Sequence, residues 1–344
     1  MDSSCCKRPV SALGPGLPDW NGARGAGDEP DVGEHLDMLR IIGVPIDSIG
    51  IADGDERRGT ERAPQALRSA GVVEALGAVD AGDLEVRITD RTRDHATGVV
   101  GWTDVSRTTA AVRAAVVEAL SAGDLPVVIG GCCSLLPGAL AGARDALGVV
   151  GLAYVDGHLD LYDGRTSPTG EAADMPVSVI TGGGPDAWAD LVAAPLTPVD
   201  GTVLLGARDR AEARSAGSIM PEDVPLSTEL DPETLRDLGM ERAGTDTEIA
   251  LTTVAEAFWL HVDVDVLSTA AMPATDYLQE DGLSWDELAL LLRPLGHSDG
   301  LVGFSLGCFN PDKCSTPEAP GRSSEAAALV TLLAEVLADP QPTG

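Results

Sequence analysis

Short apolar runs recur along the chain, each closed by glycine or an acidic residue and most followed by a stretch with helical spacing. LRIIGVP (39–45) reads as a buried strand, residues 55–62 as a charged loop, and Pro64 then opens a helix through Leu67 and Val72. Proline is tolerated in a first helical turn. Residues 84–88 predict a short strand. Ala111, Ala115, Val116 and Leu120 give 108–122 a helical period, stopped by Gly123. LPVVIGGCCSLLPGAL (125–140), GVVGLAYVDGHLD (148–160) and MPVSVITG (175–182) continue an alternation of strand, turn and helix. VDGTVLLGARD (199–209) is a further strand whose glycine ends it near charged residues. The polar, acidic stretch 212–248 suggests short helices and loops on the surface. WLHVDVDV (259–266) is a strand, 284–292 a helix with Ser284 as N-cap and Glu287 completing a capping box, and LVGFSLGCFNP (301–311) a last strand. Residues 323–338 form an amphipathic helix.

Residues 1–37 hold clustered Gly, Pro, Asp and Ser without an apolar period, which predicts a disordered leader. Elements then alternate without a linker over 38–338, so this stretch reads as one α/β domain, and 339–344 as a tail. Hydrophobic residues make up 44% of the chain but aromatics only 3%, so the core must be built from Ala, Val, Leu and Ile. That composition suits a parallel sheet covered by helices.

The uncharged run 125–143 raises the question of a membrane span. Its prolines (Pro126, Pro137) and glycines (Gly130, Gly131, Gly138, Gly142) favour strand, turn and helix instead. No basic segment followed by an apolar one opens the chain, and six cysteines in 344 residues are no disulfide framework. A reducing, cytoplasmic setting is expected. Lys plus Arg total 23 against 55 Asp plus Glu, a formal net charge of −32. Such a surface repels nucleic acid and anionic membranes and strains a compact chain at low ionic strength, which points to a salt-rich cytoplasm.

The strand ends carry the chemistry. Val155 closes one apolar run, and Asp156, His158, Asp160 and Asp163 follow it. A second strand ends in Asp263 and Asp265, two apart and so expected on one face. Ligands of open α/β sheets bind at the carboxyl ends of strands, and crowded carboxylate and imidazole donors there suggest a metal site. His261, one step before these acids, reads as packing or support; His35, His95 and His297 lie in loop-like stretches and receive no role.

These pieces, in this order, resemble the ureohydrolase superfamily of arginases, agmatinases, guanidinobutyrases and formimidoylglutamases, over roughly 38–338. Its motifs GGDHS, DAHxD and an SFDxDxxDP-like strand with a P-A-T segment correspond to GGCCS (130–134), DGHLD (156–160), and HVDVDVLS (261–268) with MPAT (272–275). The resemblance implies a three-layer α/β/α fold with a mostly parallel eight-stranded sheet, and two Mn2+ ions at the strand ends. By position, Asp156 and Asp263 would bridge the metals, Cys133 and Asp160 would complete one shell, and His158 and Asp265 the other. The reaction implied is cleavage of a linear C–N bond in a guanidino or amidino compound by a metal-bridging hydroxide, with Asp160 passing its proton to the departing amine. Trimers or hexamers are common in the family, so a homo-oligomer is expected.

The chain departs from the family at four positions. Cys133 stands for a histidine ligand, and a thiolate would move selectivity from manganese towards zinc, iron or cobalt. Cys132 takes the place of a supporting aspartate. Ala173 stands for a proton-relaying histidine, and Cys308 for a glutamate that pairs with the substrate guanidinium, for which Asp163, Glu171 and Asp174 are the candidate replacements. Arginine is therefore not the expected substrate. These changes leave a second reading open, a catalytically degenerate homologue acting as a metal-binding or regulatory subunit. A thiol-redox protein using Cys132 and Cys133 is a weak third, because adjacent cysteines form only a strained disulfide. The acidic surface yields one expectation for solution work: the melting temperature rises between low and molar salt, and a flat or falling trend would refute the halophilic reading.

Overall fold

The computed structural model describes residues 38–48 and 59–338, so the expected leader and tail, the first half of the charged loop, and Cys5, Cys6 and His35 lie outside the described residues. Eight strands occur among the described residues: β1 (Met38–Val44), β2 (Val79–Asp83), β3 (Asp124–Gly130), β4 (Gly151–Val155), β5 (Thr202–Leu205), β6 (Thr228–Leu230), β7 (Phe258–Asp263) and β8 (Leu301–Gly307). They form one sheet in the order β2-β1-β3-β8-β7-β4-β5-β6. Every pairing in it is parallel, where a mostly parallel sheet was expected. Helices complete a three-layer α/β/α architecture.

The core follows the composition. Strands β4, β5, β7 and β8 are buried at every residue, which only a sheet covered on both faces allows. Trp102–Ser121 packs along Leu136–Leu147 on one side. Gly138 and Gly142 permit the close approach, since a Cβ on Gly138 would sit 2.5 Å from the Thr109 carbonyl oxygen. The buried Trp188 fastens the same helix pair by donating from its indole to Thr109 Oγ1 at 3.1 Å. Met240–Ala255, Trp285–Gly296 and Ser324–Leu337 pack against one another in a further group. The apolar run 125–143 is strand, turn and helix as read, and among the described residues no helix is long and apolar enough to cross a membrane.

Several elements differ from the sequence reading. Residues 84–88 are not a strand; the edge strand is β2, whose VDAGD is almost wholly exposed and offers no apolar signal. It is held by parallel pairing with β1 and by Arg68, which binds Asp80 at 2.9 Å and also Asp83. The helix opened by Pro64 breaks at Gly71, where φ is +93°, into Ala63–Ser69 and Val72–Leu76. MPVSVITG supplies a helix, Pro176–Thr181, because Pro176 starts it and Gly182 in the left-handed region ends it. The acidic stretch 212–248 contains the edge strand β6. WLHVDVDV stops being strand at Asp263 and continues as a single 3-10 turn, Val264–Val266.

The helix Trp285–Gly296 carries the expected capping box: Glu287 N–H donates to Ser284 Oγ at 3.2 Å, and Ser284 N–H to Glu287 Oε2 at 2.9 Å. Replacing Ser284 by Ala should lower unfolding free energy by about 1 kcal/mol in urea titrations, with an unchanged m-value.

Candidate metal centre

Four adjacent strands in the middle of the sheet, β3, β8, β7 and β4, end at one level. Ile129 pairs with Leu306, Leu306 with Val262, and Val262 with Val155. The next residues outward are therefore Gly130, Gly307, Asp263 and Asp156, and the turns beyond add Cys133, Cys308, Asp265 and His158. A main-chain bond ties two of these tips, Cys308 N–H donating to the Gly131 carbonyl at 2.7 Å. Gly131 has no room for a side chain, because a Cβ there would fall 1.5 Å from the Ile46 carbonyl oxygen.

Among the described residues three sets of donors lie within 4.8 Å of one another: Asp156, His158 and Asp265; Cys133, Asp263 and Cys308; and Cys133, Asp156 and His261. His158 Nδ1 is 3.2 Å from Asp265 Oδ2 and 3.5 Å from Asp156 Oδ1. On its other side Nε2 lies 3.0 Å from the Gln279 amide nitrogen, while Tyr277 meets the ring edge-on. Cys133 Sγ is 2.7 Å from Asp263 Oδ2, 3.2 Å from His261 Nε2, and 3.7 Å from both Asp156 Oδ2 and Cys308 Sγ. Asp265 reaches this group through the 3-10 turn rather than by strand alternation. Asp263 Oδ1 accepts the Asp265 N–H at 2.8 Å and so builds that turn.

Five of the six expected ligands thus converge, and Asp160 is not in any of the three sets. It stands apart with a backbone φ of +49°, and its carboxylate accepts from the buried Tyr154 hydroxyl. His261, expected only to pack or support, joins the cluster. Its Nδ1 lies 2.7 Å from Ser305 Oγ, which also accepts from the Trp259 indole at 2.9 Å, and its ring stacks on Tyr154 at 5.0 Å. The signal was available, since the two-residue period of β7 puts His261 on the face of Asp263.

Cys132 turns away from the donors, with Sγ 2.8 Å from Ser48 Oγ and 3.1 Å from Ser134 Oγ. The thiol facing Cys133 is Cys308, so the adjacent pair is not a dithiol. The three carboxylates considered in place of the family's glutamate are engaged elsewhere: Asp163 with Arg165 and Thr166, Asp174 with Ser167 and Thr169, and Glu171 with Tyr277.

The electrostatics are those of a site that collects cations. Burial first, then Asp265 and Asp156, hold the Asp263 carboxyl well above the usual range. Burial and Asp265 likewise raise Asp156. Burial opposes charge on His158, yet Asp265 and Asp156 outweigh it and raise the imidazole well above its ordinary value. Burial dominates for the Cys133 thiol, pushing it well up. Burial lowers His261 to about 4, against a weaker opposing pull from Asp156.

Arg208, unassigned from the sequence, braces the centre. Its guanidinium donates to the carbonyls of Asp265 at 2.7 Å and Val266 at 3.1 Å, and its N–H to the Gly157 carbonyl at 2.8 Å. Asp209 beside it accepts the Leu159 N–H at 3.0 Å. A Gly-Ala-Arg-Asp sequence directly after a buried strand was the signal for both.

The arginase family model matches residues 38–337. The chain belongs to the arginase family. The arginase of Bacillus caldovelox is 27% identical over 280 residues, covering 79% of this chain and 91% of that protein. The solved structure of that enzyme superposes with a TM-score of 0.75 at 24% identity, covering 88% of this chain and 99% of that one. Formimidoylglutamase from Bacillus subtilis superposes with a TM-score of 0.64 at 17% identity, over 92% and 96%. This arginase-family chain is a hydrolase of that family, and its clustered donors are those of a metal-binding protein.

One pH effect follows for the metal-free chain. Burial pushes the Asp209 carboxyl up to about 6. Its folded value lies above its unfolded one, so this group's contribution to stability is intact below about pH 4 and falls as pH rises towards 6, by about 3 kcal/mol in all. Asp209→Asn can still accept the Leu159 N–H and escapes that loss. Urea unfolding in chelator should show the variant gaining on the parent chain between pH 4 and 6; a pH-independent difference would contradict the assignment.

Proposed function

We propose that this arginase-family hydrolase cleaves a linear C–N bond in a small guanidino or amidino compound other than arginine, using a pair of divalent ions. The observation that carries the reading is the overlap of the donor sets: Asp156 and Cys133 each belong to two of them. Overlapping sets are what a pair of closely spaced ions requires. Asp156, His158 and Asp265, two carboxylates and an imidazole, fit manganese. In this reading Asp156 and Asp263 would be shared by both ions, as the family motifs imply; Asp263 meets the first set through the Asp265 N–H that it accepts at 2.8 Å, and Cys133 would serve the second ion. When bound, such a pair would supply an activated water for attack on a planar guanidinium or amidinium carbon.

The chain's own residues do the rest. Arg208, bonded to the carbonyls of Asp265 and Val266 within the turn after β7, holds Asp265 in place. Gln279 and Tyr277 fix the plane of the His158 ring, the position from which a ligand histidine acts. Asp160 is the proton carrier in this reading: burial and Asp156 hold its carboxyl well above the usual range, and Tyr154 fixes its orientation. A carboxyl raised in this way can take a proton from the nucleophile and release it to the leaving amine. A substrate other than arginine is supported by Cys308 and Ala173, which offer no carboxylate or imidazole where arginases have them. The range of structural relatives, from arginase to formimidoylglutamase, is in keeping with a fold that accepts different substrates.

The test is a screen of guanidino and amidino compounds for release of urea or a related amide, with protein purified in molar salt and divalent metal. Turnover of at least one compound is expected, with Asp263→Ala reducing it by at least a thousandfold, on the order of 4 kcal/mol in the barrier. Unchanged turnover in Asp263→Ala would overturn the reading.

A further inference from the structure

Two non-family sulfur donors meet at the second ion's position, and a non-family histidine lies beside one of them. Cys133 and Cys308 replace a histidine and a glutamate, and alignment of HVDVDV with the family's SFDxDx sets His261 at the serine. They arrive from β3, β8 and β7, three neighbouring strands, and all are buried, with side chains grouped around Asp263 and Asp156. We propose that Cys133, Cys308 and Asp263 form a thiolate site for a zinc-class divalent ion, with the fourth position left to water or substrate. This makes the centre chemically asymmetric, with a soft position beside the oxygen-rich one of Asp156, His158 and Asp265. The inference rests on the reading of these strand ends as a metal centre, but not on turnover.

The spacing supports it. In a tetrahedral site with zinc–sulfur bonds of about 2.3 Å, two sulfur ligands lie about 3.8 Å apart. Cys133 Sγ and Cys308 Sγ are 3.7 Å apart. With oxygen or nitrogen at about 2.0–2.1 Å from zinc, the corresponding sulfur-to-oxygen or sulfur-to-nitrogen edge is about 3.5 Å. The Cys133 contact to Asp263 Oδ2, at 2.7 Å, is shorter than that edge, so an ion entering there would part the two groups.

The supporting contacts suit a ligand set. Ser305, which accepts from the Trp259 indole, holds the far nitrogen of His261 and so keeps its Nε2 beside the Cys133 sulfur, where it orients that ligand from outside the set. Gly307 leaves space for the sulfur, because a Cβ there would approach Cys133 Sγ to 3.1 Å. Thiolates favour zinc, iron or cobalt over manganese, so the ion at this position differs from its neighbour.

X-ray absorption on the full chain carrying Cys5→Ser and Cys6→Ser, loaded with one equivalent of zinc, reads the site directly. Two sulfur scatterers at about 2.3 Å are expected. None, or one, would overturn the proposal without any change to the cluster. In a second measurement, cobalt replaces zinc and its sulfur-to-metal charge-transfer absorption is recorded. The band should fall to about half in Cys308→Ser and disappear in Cys133→Ser/Cys308→Ser; an undiminished band in the double variant would overturn the proposal. The two readings fail separately. Sulfur coordination without turnover of any guanidino or amidino compound would leave the site standing and remove the proposed activity, whereas turnover with a sulfur-free ion would do the reverse.

Discussion

Three carboxylates buried at the ends of neighbouring strands are the constraint on which the rest of this structure turns. Asp156, Asp263 and Asp265 are each no more than 4% exposed. Like charges so placed cannot all be ionised without compensation. The protein supplies part of it locally: His158 sits between Asp156 and Asp265, Arg208 adds a fixed positive charge, and backbone N–H groups of Gly157, His158 and Asp265 donate to the carboxylates. What is left uncompensated shows in Asp263, whose carboxyl burial and the neighbouring carboxylates raise well above the usual range. The same accounting explains why burial raises Asp263 and Asp156 while Asp265, facing the imidazole, is held below its ordinary value despite its burial.

The sheet solves the positioning problem. A donor cluster assembled from loops would need many contacts to fix it, but here parallel register alone sets four strand ends at one height. Those strands are buried on both faces, so a slip of one residue would expose their apolar side chains. Glycines at the tips then let the backbones and sulfur approach more closely than a side chain would allow. What lies beyond the tips, in short turns, is free to vary in chemistry.

The sequence made the centre of the fold legible and its margins opaque, for physical reasons. The strands β3, β4, β7 and β8 are continuous apolar runs, and their ends carry unusual residues, so both fold class and five converging ligands could be read. The edge strands could not. VDAGD and TEL lie exposed or half-buried, leaving no pattern in side-chain polarity. The turn after Asp263 was misread because alternation predicts a shared face, whereas a carboxylate that accepts the N–H two residues on converts strand to turn. His261 and Arg208 required three-dimensional information that a linear motif does not hold: one gains its role from Cys133 on another strand, the other from carbonyls 57 and 58 residues away.

The bond from Cys308 N–H to the Gly131 carbonyl fixes the spacing of the two backbone tips that carry Cys133 and Cys308. It does not depend on what lies between them. A gauge of this kind decides by fit rather than by supply: an ion whose bonds match the gap enters an already assembled mould, and a mismatched one must stretch a buried backbone contact. Inheritance gains a degree of freedom from the same arrangement. Because the tips are held by main-chain atoms, side chains there can be exchanged one at a time, and a lineage can drift from one metal to another while every strand stays in place.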